Sequence, residues 1–188
     1  MARRTGLVMI FAILGALVLV LASVSAADRG KGKDRGKRSV EAKLIGYEEV
    51  PAINTAGKGK IKLKVRNGTS AGTIEYKLSY SGLSSPAAAA HIHFGQFSVN
   101  GGIAAFLCGS GIAGKPACPA GNTATKESVS GTIAAADVLA IAGQGLAAGD
   151  MASLQRAIKA GVAYANVHTA TFPGGEIRGQ LDRKRHHD

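Results

Sequence analysis

The stretch that decides the fold is Ala163-Tyr-Ala-Asn-Val-His-Thr-Ala-Thr-Phe-Pro-Gly-Gly-Glu-Ile-Arg-Gly-Gln-Leu181. Period-two alternation runs on either side of Pro173-Gly174-Gly175, where proline presets φ and glycine supplies φ > 0, so the segment predicts two strands and a turn. On the first strand Ala163, Ala165 and Val167 point one way and Tyr164, Asn166 and His168 the other. On the second, Ile177 and Leu181 oppose Glu176, Arg178 and Gln180. The hairpin thus has one apolar side and one side crowded with hydrogen-bonding groups. Ala90-His-Ile-His-Phe94 repeats the arrangement, with Ala90, Ile92 and Phe94 against His91 and His93.

Outward from these segments the signals are mostly β. Lys60-Ile-Lys-Leu-Lys-Val65 alternates strictly, which predicts an edge or open-faced strand whose outward lysines guard it against pairing with other molecules. The Asn67-Gly68 turn leads to Thr73–Tyr80, where Ile74, Tyr76, Leu78 and Tyr80 share a face, and the two runs form a hairpin. Val40 to Gly46 is the first strand, and Pro51, lacking a donor, lies beyond its end. Ile103–Leu107 and Ser128–Ile133 are further short strands. One helix is predicted over 151–160. Asp150 is its N-cap, Met151, Leu154 and Ile158 fall on one stripe, and Gly161 suits a left-handed cap. Many short strands and a single helix predict a mainly β, antiparallel β-sandwich with Greek-key-like connections.

Tyr164-x-Asn166-x-His168-Thr169 followed by Pro173-Gly174-Gly175-Glu176-Ile177-Arg178-Gly179-Gln180-Leu181 resembles the end of a CHRD domain, the module named after chordin and found singly in secreted microbial proteins. Ala90-His91-Ile92-His93-Phe94-Gly95 is similar to that family's central segment, and Leu44-x-Gly46-x-Glu48-Glu49-Val50-Pro51 to its opening. The likeness runs from about Val40 to Leu181 with its motifs in the expected order. It implies an extracellular β-rich domain and no established catalytic residues.

The 188 residues divide unevenly in character. Arg3-Arg4, the apolar run Leu7 to Leu21 and the small residues Ala22 to Ala27 have the three parts of a signal peptide, here residues 1–27, with an uncleaved membrane anchor as the competing reading. Residues 28–39 hold six basic and two acidic side chains and three glycines, a composition that predicts a disordered linker. Residues 40–181 form the domain, and 182–188 a short basic, histidine-containing tail. Of the formal +11, the domain itself contributes only +4, so basicity is concentrated at the N-terminal end. Residues 28–39 therefore read either as a tether to an anionic envelope surface or as a solvated spacer. Nucleic acid is not expected, because the linker lacks interleaved aromatics and no recognition module is visible. Cys108 and Cys118 bracket a Gly-rich loop and, in an exported chain, read as one disulfide. The localisation expected is secreted, periplasmic or attached to the cell envelope.

Two histidines at i and i+2 on one strand face lie about 6.6 Å apart, close enough for both rings to reach one ion with bonds near 2 Å. His91 and His93 have that spacing, and His168 completes a three-nitrogen set if its strand lies alongside. Three imidazoles with an open position suit copper or zinc. His91-Ile92-His93-Phe94-Gly95 also resembles the His-x-His strand of copper/zinc superoxide dismutases, but those enzymes carry further His and Asp ligands, and only three histidines lie in this domain. The bland reading makes His91, His93, Tyr164, Asn166, His168, Glu176 and Arg178 one hydrogen-bonded polar cluster, with Glu176 and Arg178 neutralising each other or their neighbours. A serine hydrolase is disfavoured, since no Gly-x-Ser-x-Gly elbow is present. The leading expectation is a non-catalytic binding or structural module presenting a rigid β-domain; the alternative is a copper or zinc protein, with dismutase-like redox activity as its catalytic extreme.

Overall fold

The computed structural model describes residues 37–66 and 72–182. The signal segment, most of the basic linker, the Asn67-Gly68 turn and the tail beyond Asp182 lie outside the described residues.

Eight strands form one sheet: β1 (Lys37–Ile45), β2 (Lys58–Arg66), β3 (Thr73–Ser81), β4 (Ala87–Phe94), β5 (Gly102–Gly109), β6 (Glu127–Ile133), β7 (Ala163–Thr169) and β8 (Ile177–Gln180). Their order is β5-β4-β7-β8-β1-β2-β3-β6, and every neighbouring pair is antiparallel. The mainly β, antiparallel class with one helix is therefore as expected, but the division into two separately bonded sheets is not found. The sheet instead curls into a nearly closed, barrel-like form. Its inward rows are narrow enough for this: Val40, Ala42 and Leu44 on β1, Ala90 and Ile92 on β4, and Ala163, Ala165 and Val167 on β7 are all buried in one core. The end strands β5 and β6 meet, and side chains rather than ladder bonds close the seam. The Tyr76 hydroxyl donates to the Leu107 carbonyl, Tyr80 to Pro119 O at 2.7 Å, and Lys115 pairs with Asp137 at 3.0 Å.

Two local expectations need correction. β1 begins at Lys37, so residues 37–39, assigned from composition to a disordered linker, pair with Arg66, Val65 and Lys64. β2 is open-faced but no edge, since β1 and β3 flank it along its whole length. The helix, α1 (Met151–Lys159), has the expected cap: Asp150 Oδ1 accepts from Ser153 N at 2.9 Å, and Gly161 takes φ 72°. Met151, Leu154 and Ile158 face the core. Cys108 at the end of β5 and Cys118 in the following loop form the expected disulfide.

Candidate metal centre

β4 and β7 lie side by side with His91 opposite Asn166 and His93 opposite Tyr164. An irregularity between Ala87 and Ala89 sets His168 opposite Ala89, so it leans diagonally onto His91. The polar rows of both strands therefore share the outer surface of the barrel wall, away from Ala90, Ile92, Ala165 and Val167. That surface is not open to water. His91 and His93 are 6% and 7% exposed and Asn166 2%, because Phe106 of β5, the 95–101 loop and the β7–β8 turn fold over them.

The ring centroids of His91 and His168 are 4.6 Å apart, those of His91 and His93 5.5 Å. One ring nitrogen from each of the three lies within 4.8 Å of the others, and among the described residues this is the one cluster of three or more His, Cys, Asp or Glu side chains so arranged. His93 Nδ1 donates to the Gly101 carbonyl and His168 Nδ1 to the Pro173 carbonyl, each at 2.9 Å. These bonds fix the tautomers, leaving a lone pair on each Nε2. His91 Nδ1 faces His168 Nε2 at 2.9 Å, so without an ion His91 must donate there. The consequence is that His91 Nε2 and His93 Nε2 are buried with no hydrogen-bond partner. Asn166 Oδ1 is also 2.9 Å from His168 Nε2, where two acceptors meet unless the amide turns or a cation stands between them.

Burial, with repulsion from the neighbouring rings, pulls His91 down to about 3. Burial also lowers His93 to about 4 against the opposing Gly101 bond, and lowers His168 against its bond to Pro173. Three neutral imidazoles at neutral pH are three available donors, the protonation state a transition metal requires. The backbone bonds at Gly101 and Pro173 orient the rings in the manner of the outer-shell partners of metal-bound histidine. The Tyr164 ring stacks on His93 at 4.7 Å and 5°, and the Arg178 guanidinium lies 3.5 Å from the Tyr164 centroid. Arg178 also donates to Gln96 O at 3.1 Å, Val99 O at 3.0 Å and Asn100 Oδ1 at 3.3 Å, pinning the loop that covers the site.

The family profile of the CHRD domain matches residues 40–181. The chain belongs to the CHRD domain family. No curated protein and no solved structure matches it. The four CHRD motifs read from the sequence meet in space around this surface. Glu48 Oε2 of the opening motif accepts from Gln180 N of the closing one at 3.2 Å, and the Glu49 carboxylate lies over Gly175, whose φ of 130° and lack of a side chain admit it. Burial raises the Glu49 carboxyl to about 7 despite the attraction of Arg178, and its Oε1 has no partner.

One residue of the expected polar cluster stands elsewhere. Glu176 does not pair with Arg178 or approach the histidines. It is fully buried, accepting from Thr55 Oγ1 at 2.6 Å, Ser84 N at 2.8 Å, Ser84 Oγ at 2.7 Å and Thr169 Oγ1 at 2.7 Å. Burial would raise its carboxyl, but these four donors together hold it below the usual range. Glu176 precedes the β8 ladder, so the alternation that assigned its face does not extend to it. The carbonyls of Gly101 and Pro173, the Phe106 lid and Glu49 were not identified from the sequence as parts of this surface. Glu49 alone left a trace there, as an acidic residue just before Pro51 in the opening motif.

Proposed function

We propose that this CHRD domain works outside the cytoplasm as a metal-binding module, holding one copper or zinc ion through His91, His93 and His168. The observation that carries the reading is the pair of orphaned nitrogens. A buried polar atom without a partner costs about 1–3 kcal/mol, and His91 Nε2 and His93 Nε2 both stand unpaired within one three-histidine cluster. A cation offsets that cost, which a polar cluster built only for stability leaves standing. Nitrogens bound to one zinc ion tetrahedrally sit about 3.3 Å apart. One nitrogen from each ring already lies within 4.8 Å of the others, a spread that small ring rotations close. Export is supported by the Cys108–Cys118 disulfide, which persists in oxidising compartments.

The half-buried His168 is the ligand nearest solvent, so an ion here is reached from that side, by water or a small molecule at most. Binding rather than turnover is the function assigned. The test is metal analysis of protein purified without an affinity tag, followed by thermal unfolding after chelator dialysis with and without Cu²⁺ or Zn²⁺. At a hundredfold excess over Kd an ion adds about 2.7 kcal/mol, or roughly 5–10 °C in a domain of this size. A His91→Ala/His93→Ala/His168→Ala variant separates this site from His186 and His187 of the tail. Absence of stoichiometric metal together with an unmoved transition, or an equal response from the triple variant, overturns the reading.

A further inference from the structure

The strict Lys/apolar alternation of β2 makes an outer face that the edge-guard explanation no longer covers, because β2 is paired on both sides. Register sets Lys43 opposite Lys60 and Lys62 opposite Lys77, while Glu41 stands opposite Lys62 and Glu75 opposite Lys64. Like charges directly opposed across strands are destabilising, a cost borne here by the two lysine pairs. Two carboxylates relieve part of it. Glu41 holds Lys60 at 2.8 Å and Lys62 at 2.9 Å, while Glu75 holds Arg66 at 2.6 Å. Among the described residues, no carboxylate is within ion-pairing distance of Lys43, Lys58, Lys64 or Lys77, and each is exposed.

From these rows we infer that the outer face of β1, β2 and β3 binds a linear anionic polysaccharide. Lysines two apart on a strand repeat about every 6.7 Å, so Lys58 to Lys64 form a row of roughly 20 Å. A single anion does not span it; a polymer charged at each repeat does. At one end the face dips into a depression of about 450 Å³ lined by Lys43, Lys58, Lys60 and Lys126, with Ser79 and Ser81 beside them. Hydroxyls and ammonium groups around a shallow depression suit a sugar unit with a carboxylate or sulfate. A bilayer calls for apolar insertion, and Ile45, 40% exposed, is the one large apolar side chain of the depression that is exposed.

The test titrates the full exported chain with polygalacturonate, with dextran sulfate and with phosphatidylglycerol vesicles across a salt series. Lys43→Gln/Lys58→Gln/Lys64→Gln/Lys77→Gln is compared with a variant neutralising Arg29, Lys31, Lys33 and Arg35. The face variant is expected to melt no lower than the parent, to lose at least tenfold in affinity for both polymers at low salt, and to flatten log K against log salt by about 3, close to one ion per lysine removed. Should the quadruple variant fold poorly, Lys64→Gln/Lys77→Gln gives the same comparison with about half the effect. Unchanged polymer binding by the face variant, loss confined to the linker variant, or tighter retention by vesicles than by polymer would each overturn the inference.

Discussion

Replacing Glu176 by Gln probes the carboxylate that ties the β7–β8 turn to the 53–57 and 83–86 segments. Its two oxygens accept four hydrogen bonds of 2.6–2.8 Å inside a fully buried setting. Bonds to a charged acceptor are worth about 1.5–3 kcal/mol each and neutral ones about half; the isosteric amide keeps one acceptor oxygen and makes the other position a donor, to which the facing hydroxyls must turn their lone pairs, so it gives up about 1 kcal/mol per bond, some 4 in all. Part of this returns, because the amide escapes the several kcal/mol needed to strip a carboxylate of water. The net expectation at pH 7 is a loss of about 2 kcal/mol, or roughly 4–8 °C in melting temperature. Glu176→Ala leaves all four donors unanswered and should lose at least about 4 kcal/mol.

The pH dependence separates this cause from mere repacking. The folded carboxyl of Glu176 lies below its ordinary value, so its contribution is full above about pH 4.5 and is lost as pH falls through the folded pKa. Urea unfolding of the parent and Glu176→Gln, run at pH 7 and again toward pH 3, should therefore show a gap that narrows in acid. Other groups titrate in both proteins and cancel in the difference. A gap under 0.5 kcal/mol at pH 7, or one that stays constant down to pH 3, refutes the argument that charge-assisted bonds are the source.

The opposite sign is expected at Glu49. Burial holds its carboxyl near 7, so its contribution is full below about 4.5 and drains away as pH rises through 7; Glu49→Gln should match the parent at pH 4.5 and exceed it by about 1–2 kcal/mol at pH 8, as read from chemical denaturation. A parent whose stability is flat between pH 5 and 8 counts against that picture. Zinc affinity should survive acid unusually well: three ordinary imidazoles lose about 10,000-fold between pH 7 and 5 to proton competition, whereas His91 at about 3 and His93 at about 4 leave only His168 to compete, a loss of about 30-fold at most. Competition titrations at the two pH values decide it, and a fall of three or more decades would contradict the burial of these rings.

What could be read in the chain follows from how far each residue's behaviour depends on its own strand. The period of two placed His91, His93, Tyr164, Asn166 and His168 on polar rows because each sits inside a ladder, where side-chain direction is set by backbone geometry alone. Glu176, one residue short of its ladder, escaped the same rule and turned to Thr55, Ser84 and Thr169. The count of sheets was illegible for a different reason: closure rests on Tyr76 and Tyr80 reaching carbonyls of the β5 strand and its following loop, contacts between segments 31 and 39 residues apart that no local pattern encodes. The burial of the polar rows was hidden too, since it comes from loops. Arg178 holds the 95–101 segment down through two carbonyls and Asn100, and that segment supplies the Gly101 carbonyl that orients His93. Its reach explains why an arginine stands fully buried on the outer wall of a barrel. Replacing it with lysine keeps one charge but cannot span three acceptors with a planar fork, so the first consequence of losing Arg178 should be a mobile cover and a His93 ring with no fixed tautomer.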